Sequence, residues 1–205
     1  MKKKVIFAPH VDDDVLGCGS ILDKESVVIY CGLDESSIPN RPSMETRLAE
    51  ADAVQEYLGH SYRVLDNKVN QYSASSLIAE FESVLNEIKP SDVFIPHYSY
   101  NQDHRAVYNA ALTALRPHDK NHFVPNVYVY EQPHTAIWDN KPVEFIANYF
   151  LSLDVEKKIN AYLLMETQVR NFRSCDMIKA MAKLRGSQSG FDYAEAFQII
   201  RMVKK

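Results

Sequence analysis

Two short stretches concentrate the groups able to hold a cation or move a proton. The first, "VIFAPHVDDDVLGCG" (Val5–Gly19), places His10 two residues ahead of three consecutive aspartates, Asp12, Asp13 and Asp14. The second, "SDVFIPHYSYNQDH" (Ser91–His104), ends an apolar run at Pro96-His97 and then carries Asn101, Asp103 and His104. Adjacent carboxylates repel one another, so three in a row just past an apolar run call for a positive charge among them. A metal ion bound by His10, one or two of the aspartates and His104 answers that call. Two histidines and a carboxylate make a three-ligand set that leaves one position open. An ion so held lowers the pKa of a water molecule from about 15.7 to near 7, and a second carboxylate beside it can take the proton as the water attacks. The competing explanation is that Asp12–Asp14 cap a following helix, where carboxylates are favourable. Capping uses one aspartate, however, and has no need of His10.

The elements that must bring these stretches together are legible in the hydrophobic pattern. Val5–Ala8, ending at Pro9, and Ser26–Gly32 ("SVVIYCG") are continuous apolar runs, the pattern of strands buried on both faces of a parallel sheet, and Tyr62–Leu65, Ser91–His97 and Asn126–Glu131 read as three further strands. Between them the periodicity becomes helical. Leu48, Ala51, Val54 and Leu58 recur along one face over Pro42–Gly59, with Gly59 as terminator, and Leu77, Ile78, Phe81, Leu85 and Ile88 recur over Ser75–Lys89. A further helix is expected over His104–Leu115, and two more near Asp154–Met165 and Asn171–Lys183, with "EAFQIIRM" closing as a strand. Strand and helix alternating at this rhythm predict right-handed crossovers and an α/β, Rossmann-like three-layer fold with a mostly parallel sheet. No repeat or linker composition interrupts it, so residues 1–205 are expected to form one domain. Ligands of open α/β sheets bind outside the carboxyl ends of the strands. Both polar stretches follow such ends and are therefore expected on one edge of the sheet.

Bulk properties remove several classes of function. The chain has 205 residues, a formal net charge of -4, and lysine clusters only at its extreme ends, which argues against a nucleic-acid-binding face. Cys18, Cys31 and Cys175 form no paired spacing, so neither a disulfide frame nor a cysteine-rich zinc site is expected, and free thiols fit a reducing cytoplasm. The apolar part of "MKKKVIFAPH" is too short for a signal-peptide core or a membrane span.

"PHVDDD" resembles the (A/P)HPDDE signature of the PIG-L/LmbE-like deacetylases, and "NQDH" is similar to their second signature, which ends in Asp-His. "METRLAEADAVQEYLG" is similar to that family's Arg-x-x-Glu helix, and "RGSQSGFDYAEAF" to its late Arg-Gly and Tyr-Ala-Glu-x-Phe segment, so the resemblance runs along most of the chain in order. It implies zinc-dependent removal of acetyl from an N-acetylglucosamine-type sugar or conjugate, with iron accepted by the same ligands. His10, Asp13 and His104 would hold the metal, Asp12 would be the general base, and Asp103 would orient a histidine or the base. Asp14 stands where most members have Glu, and Val11 replaces a usual proline. Relatives often assemble as trimers or hexamers, so a homo-oligomer is an expectation as well.

One departure bears on chemistry. Asn101 occupies the position where many members carry a histidine thought to polarise the scissile carbonyl. Asparagine can donate a hydrogen bond to an oxyanion but supplies no positive charge. The electrophilic work then falls on the metal, on Asn101, or on His97 or His134, which otherwise read as packed or surface histidines. Arg47 reads either as a helix-surface ion pair with Glu50 or as a sugar contact, and Tyr193 as a substrate contact or an ordinary core tyrosine. Trp138, in "HTAIWDNKP", reads as a buried anchor or a loop aromatic over the pocket. Two rival functions are a magnesium-dependent phosphohydrolase, disfavoured by two histidines and the lack of a glycine-rich phosphate loop, and a non-catalytic metal- or sugar-binding protein.

Overall fold

The computed structural model describes residues 3–36, 38–138 and 143–204. Seven strands form one sheet in the order β3-β2-β1-β4-β5-β7-β6, built from β1 (Lys4–Ala8), β2 (Ser26–Tyr30), β3 (Ser61–Val64), β4 (Asp92–Pro96), β5 (Asn126–Tyr130), β6 (Tyr149–Ser152) and β7 (Ala194–Met202). The first five are mutually parallel, and β7 runs antiparallel to both β5 and β6. Alternate residues of one strand face opposite layers. In β1, Ile6 and Ala8 join a core with Val15 and Leu16 of α1 (Asp13–Cys18), Ala51 and Val54 of α2 (Met44–Leu58), Ile159 and Tyr162 of α6 (Val155–Leu163), and Ile178 and Ala182 of α7 (Cys175–Ser189). Val5 and Phe7 join the other core with Leu77, Phe81 and Leu85 of α3 (Ala74–Ile88) and Val107 and Ala110 of α4 (Gln102–Ala114). Phe7 and Phe81 stack with ring centroids 4.0 Å apart. Each such side chain, taken from water, contributes about 1.5–3 kcal/mol. The fold is the expected α/β three-layer arrangement.

The order of strands switches sides between β1 and β4, whose next strands lead to opposite edges of the sheet. A crevice opens at that point outside the carboxyl ends, and both polar stretches end there. The first enters α1, a helix of six residues whose approach to the sheet depends on Gly17: a Cβ there would lie 2.2 Å from the Tyr130 ring. The Tyr130 hydroxyl in turn donates to the Phe7 carbonyl at 2.9 Å, tying β5 to β1 behind the crevice. The second stretch enters α4, where Asn101 is the N-cap and its Oδ1 accepts the Asp103 N–H at 2.8 Å.

Three expectations are corrected. β6 was not anticipated, because "YFLS" is an edge strand with one pairing partner and half-exposed side chains, and its pattern is weak. The helix expected over Asn171–Lys183 begins at Cys175, after a 3-10 turn at Asn171–Arg173, because the Ser174 side chain caps it by accepting the Met177 N–H at 3.3 Å. It then runs past Gly186, which sits against the Asp192 carbonyl where a Cβ would be 2.6 Å away, and stops at Gly190 with φ of +81°. Trp138, weighed towards a buried anchor, is 60% exposed beyond α5 (Pro133–Ile137). The next four residues of its loop lie outside the described residues.

Candidate active site

The carboxylate of Asp13 is the hub of the crevice. Its Oδ2 lies 3.4 Å from His10 Nδ1 and 3.3 Å from His104 Nε2, and accepts the backbone N–H of His10 at 2.8 Å. Its other oxygen is held by the side-chain amide of Gln132. One ligand atom each from His10, Asp13 and His104 falls within 4.8 Å of the others. The spacing and the mixed nitrogen and oxygen donors fit a tetrahedral divalent ion with an open fourth position. His10 is oriented from behind: its Nε2 is 3.0 Å from Asp103 Oδ2, and Asp103 itself is fully buried and receives the Asn70 N–H at 2.6 Å. A carboxylate fixing a metal-facing imidazole is the usual second tier of such sites.

The electrostatics agree. Burial alone lowers the His10 imidazole, yet its hydrogen bonds to Asp103 and Asp13 and their charges outweigh this and push it up to about 10. These carboxylates favour a cation in their midst. Burial opposes ionisation of Asp13 too, but its interactions with His104, His10 and Gln132 hold its carboxyl well below the usual carboxylate range. Burial, against the pull of Asp13 and helped by the basic groups nearby, depresses His104 to about 3, so this imidazole is neutral and keeps a lone pair for a metal. An already ionised carboxylate and a neutral imidazole are what a divalent ion requires of its ligands.

Asp12 tests the capping explanation directly. It stands at the N-cap position of α1 and makes no side-chain capping bond. Its Oδ2 instead pairs with the Arg173 guanidinium at 2.6 Å. Burial pushes the Asp12 carboxyl up, against the pull of Arg173. A carboxyl raised in this way and placed next to the cluster is suited to accept and return a proton.

The crevice is a cleft of about 280 Å³ lined by His10, Asp12, Asp13, Asn101, His104 and His134 among others. The Asn101 capping bond engages its amide oxygen and leaves the NH2 group as the available donor. His134 stands edge-on to the His104 ring at 5.0 Å and to Tyr100 at 5.6 Å, and Trp138 lies beyond Tyr100 at the rim.

Of the residues expected to touch substrate, Arg47 lines a small recess shared with His10, Glu35 and Gln168 of the cleft, and His97 and Tyr193 lie outside the cleft lining. Arg47 is buried: it pairs with Glu35 at 2.8 Å and Glu50 at 3.4 Å and bonds the Thr167 hydroxyl. It stands behind Glu35, which does line the cleft. The helix-surface ion pair is thus corrected to a buried cluster, in which the Glu50 carboxylate also receives the Thr167 N–H at 2.7 Å. His97 is buried outside the lining, edge-on to Phe145 at 5.4 Å. Tyr193 lines a separate groove with Ser152, Asp154 and Lys183, sharing no residue with the cleft. Arg173 and Gln132 were missed. Arg173 lies in a segment without periodicity, so its only advance signal was the unbalanced acidity of Asp12–Asp14, whereas Gln132 follows the carboxyl end of β5, the same kind of position that drew attention to His10 and His97.

Among the described residues no helix is long and apolar enough to cross a membrane. A sequence model of the PIG-L family, described as GlcNAc-PI de-N-acetylase, matches residues 5–115. The fold is similar to that of the N,N'-diacetylchitobiose deacetylase of Pyrococcus horikoshii, with 19% identity over 98% of this chain and 84% of that one and a TM-score of 0.75. It is similar as well to a zinc-inhibited form of the teicoplanin deacetylase Orf2, with 18% identity over all of both chains and a TM-score of 0.77. A third likeness is to GalB, the 4-carboxy-2-hydroxymuconate hydratase of Pseudomonas putida KT2440, with 20% identity over 100% and 99% of the chains and a TM-score of 0.70. At these identities the likenesses carry the fold, and one fold here serves more than one reaction.

Proposed function

Because the chain belongs to the PIG-L family, we propose that it is a zinc-dependent N-deacetylase acting on an N-acetylated amino sugar or its conjugate. The observation that carries the reading is the convergence of His10, Asp13 and His104 with Asp12 fixed beside them by Arg173. Two nitrogen donors favour zinc, or iron, over magnesium, which prefers an all-oxygen shell. When bound, zinc supplies Lewis acidity to the substrate carbonyl and to the attacking water.

The chain's own groups do the rest. Asp12 takes the proton from the attacking water and delivers it to the departing amine, so that acetate and a free amino sugar leave. Arg173 holds the Asp12 carboxylate in reach of the cluster and favours its charged form against burial. Asp103 acts through His10, fixing the ring. Asn101 presents its NH2 group to the developing oxyanion, with His134 lining the same cleft. Arg47 acts through Glu35. Three unpaired cysteines suit a cytoplasmic protein, and a trimer or hexamer is checked by light scattering.

The test measures metal content together with amine release from N-acetylglucosamine and its conjugates, for the wild type and His104→Ala. A stoichiometric equivalent of zinc or iron, lost in the variant along with amine release, is the expected result. A folded wild type that takes up no zinc when offered it sinks the reading. Since a hydratase shares the fold, amine release is the deciding readout.

A further inference from the structure

Asp13 supplies the one carboxylate of the clustered ligand set, and its two oxygens have different surroundings. Oδ2 is the oxygen nearest both histidines, 3.4 Å from His10 Nδ1 and 3.3 Å from His104 Nε2, and it also accepts the His10 N–H at 2.8 Å. Oδ1 is taken by Gln132, whose Nε2 donates to it and approaches the Asp13 backbone carbonyl at 3.4 Å. Both groups that this end of the amide faces are acceptors, so it is the NH2 end. Gln132 has little freedom to point elsewhere. It is buried, and its backbone is extended with φ of -136° and ψ of 158°, the region favoured ahead of Pro133. Glu131, just before it, is gripped through both carboxylate oxygens by Arg185 of α7, with Nε to Oε2 at 2.8 Å. The Gln132 carbonyl in turn accepts the Thr135 hydroxyl at 2.6 Å in the first turn of α5. The amide is thus fixed from both sides and bonded to one oxygen of one ligand.

We infer that Gln132 is a positioning residue that makes Asp13 a one-oxygen ligand, and through it selects a small ion of low coordination number. A carboxylate free at both oxygens can chelate, a mode open to larger, oxygen-seeking ions such as calcium and manganese. Chelation by Asp13 would require Oδ1 to leave Gln132 and strand a buried NH2 group, which is unfavourable. With Oδ1 engaged, one atom from each of His10, Asp13 and His104 serves the ion, and a position stays open for water or substrate. The inference rests on the metal-site reading above and adds the residue that sets how Asp13 binds.

The test needs no substrate. Zinc and manganese affinities are measured by chelator competition for the wild type and for Gln132→Met, which keeps the length of the side chain and removes its donors. Zinc affinity is expected to fall about tenfold or more in the variant. Manganese affinity should hold or rise, so that the preference for zinc over manganese narrows by about the same factor. The cobalt-loaded variant should show weaker visible bands than the cobalt-loaded wild type, as Asp13 closes on the ion with both oxygens and raises its coordination number. A merely structural loosening would weaken both metals alike; an unchanged zinc-to-manganese ratio with an unchanged cobalt spectrum overturns the inference. The wild type decides the matter even if Gln132→Met does not fold. A crystal structure of its zinc-loaded form should show one Asp13 oxygen on the ion and Gln132 on the other. Both oxygens on the ion would overturn the inference and leave the metal site standing. A folded wild type that binds neither zinc nor cobalt overturns the metal-site reading, and this inference with it.

Discussion

Replacing Asp103 by Asn removes one charge from the cluster and changes almost nothing in volume, which makes it the sharpest test of how His10 is held. Asp103 Oδ2 serves two donors, His10 Nε2 at 3.0 Å and the Asn70 N–H at 2.6 Å, and Oδ1 faces the Tyr72 N–H at a long 3.4 Å. An asparagine keeps its single oxygen on the side with two short bonds and turns its NH2 group towards Tyr72, giving up the weakest bond. The backbone anchors of the 70–72 segment therefore survive in large part. What is lost is the carboxylate charge behind the imidazole. Removing such a partner typically lowers metal affinity about 10–100-fold, or roughly 1.4–2.7 kcal/mol. The assay is competition for zinc against a chromophoric chelator, read alongside thermal unfolding of the metal-free protein. Asp103→Asn is expected to lose affinity within that range with little change in metal-free stability. Asp103→Ala, which abandons both N–H groups as well, should be the less stable of the two. Zinc binding within twofold of the wild type in Asp103→Asn would refute the argument that this carboxylate positions His10.

Two further outcomes follow from groups that the chemistry does not touch. Glu195 of β7 accepts the Gly19 and Ser20 N–H groups at 2.9 and 2.7 Å and the buried Lys158 ammonium at 2.5 Å, while Lys158 also donates to the Leu16 carbonyl at 2.7 Å. Glu195→Ala strands the cation at the end of α1 and should cost about 3–5 kcal/mol in urea unfolding, whereas the double change Lys158→Met, Glu195→Gln should recover most of it; a single-variant loss below about 1 kcal/mol would contradict this. Burial depresses His60 to about 4, below its ordinary value. The unfolded chain therefore takes up a proton that the folded one refuses, and wild-type stability relative to His60→Met should fall by about 1.4 kcal/mol per pH unit from 6.5 down to about 4. Parallel pH profiles for the two proteins would show that His60 carries no such load.

How much of this was legible beforehand depends on where the determining contacts lie along the chain. Strands such as Val5–Ala8 and helices such as Ala74–Ile88 are fixed by local periodicity, and the rule placing ligands outside strand ends brings His10 and His104 together. Tertiary pairings leave no such trace. Nothing adjacent to Arg173 announces that it will meet Asp12 from the far side of the chain, and Gln132 reaches Asp13 from just past β5. Arg47 and Glu50, one helical turn apart, looked like a surface pair because the sequence does not show that Glu35 and Thr167 close over them. Tyr193 was drawn towards the site by motif resemblance, but its side chain lies over Lys179 and Lys183 of α7, on the far groove.

The three consecutive aspartates are explained by divergence rather than by a shared task. A six-residue helix turns successive side chains by about 100°, so neighbours in sequence face different surroundings. Asp12 faces the cleft and Arg173, and Asp13 faces the two histidines and Gln132. Asp14 faces away from both, into the core, where it accepts the Tyr30 hydroxyl at 2.9 Å near His60. Burial raises its carboxyl to about 8 despite that bond, so at neutral pH it is largely protonated and adds little charge to the cleft. Repulsion within the triplet is relieved in three ways at once: a guanidinium for the first, a site for a metal ion for the second and a proton for the third. That division also accounts for the shorter acid at position 14. A group that packs against Tyr30 beneath the sheet edge needs the right reach into the core, and has no ligand of its own to hold.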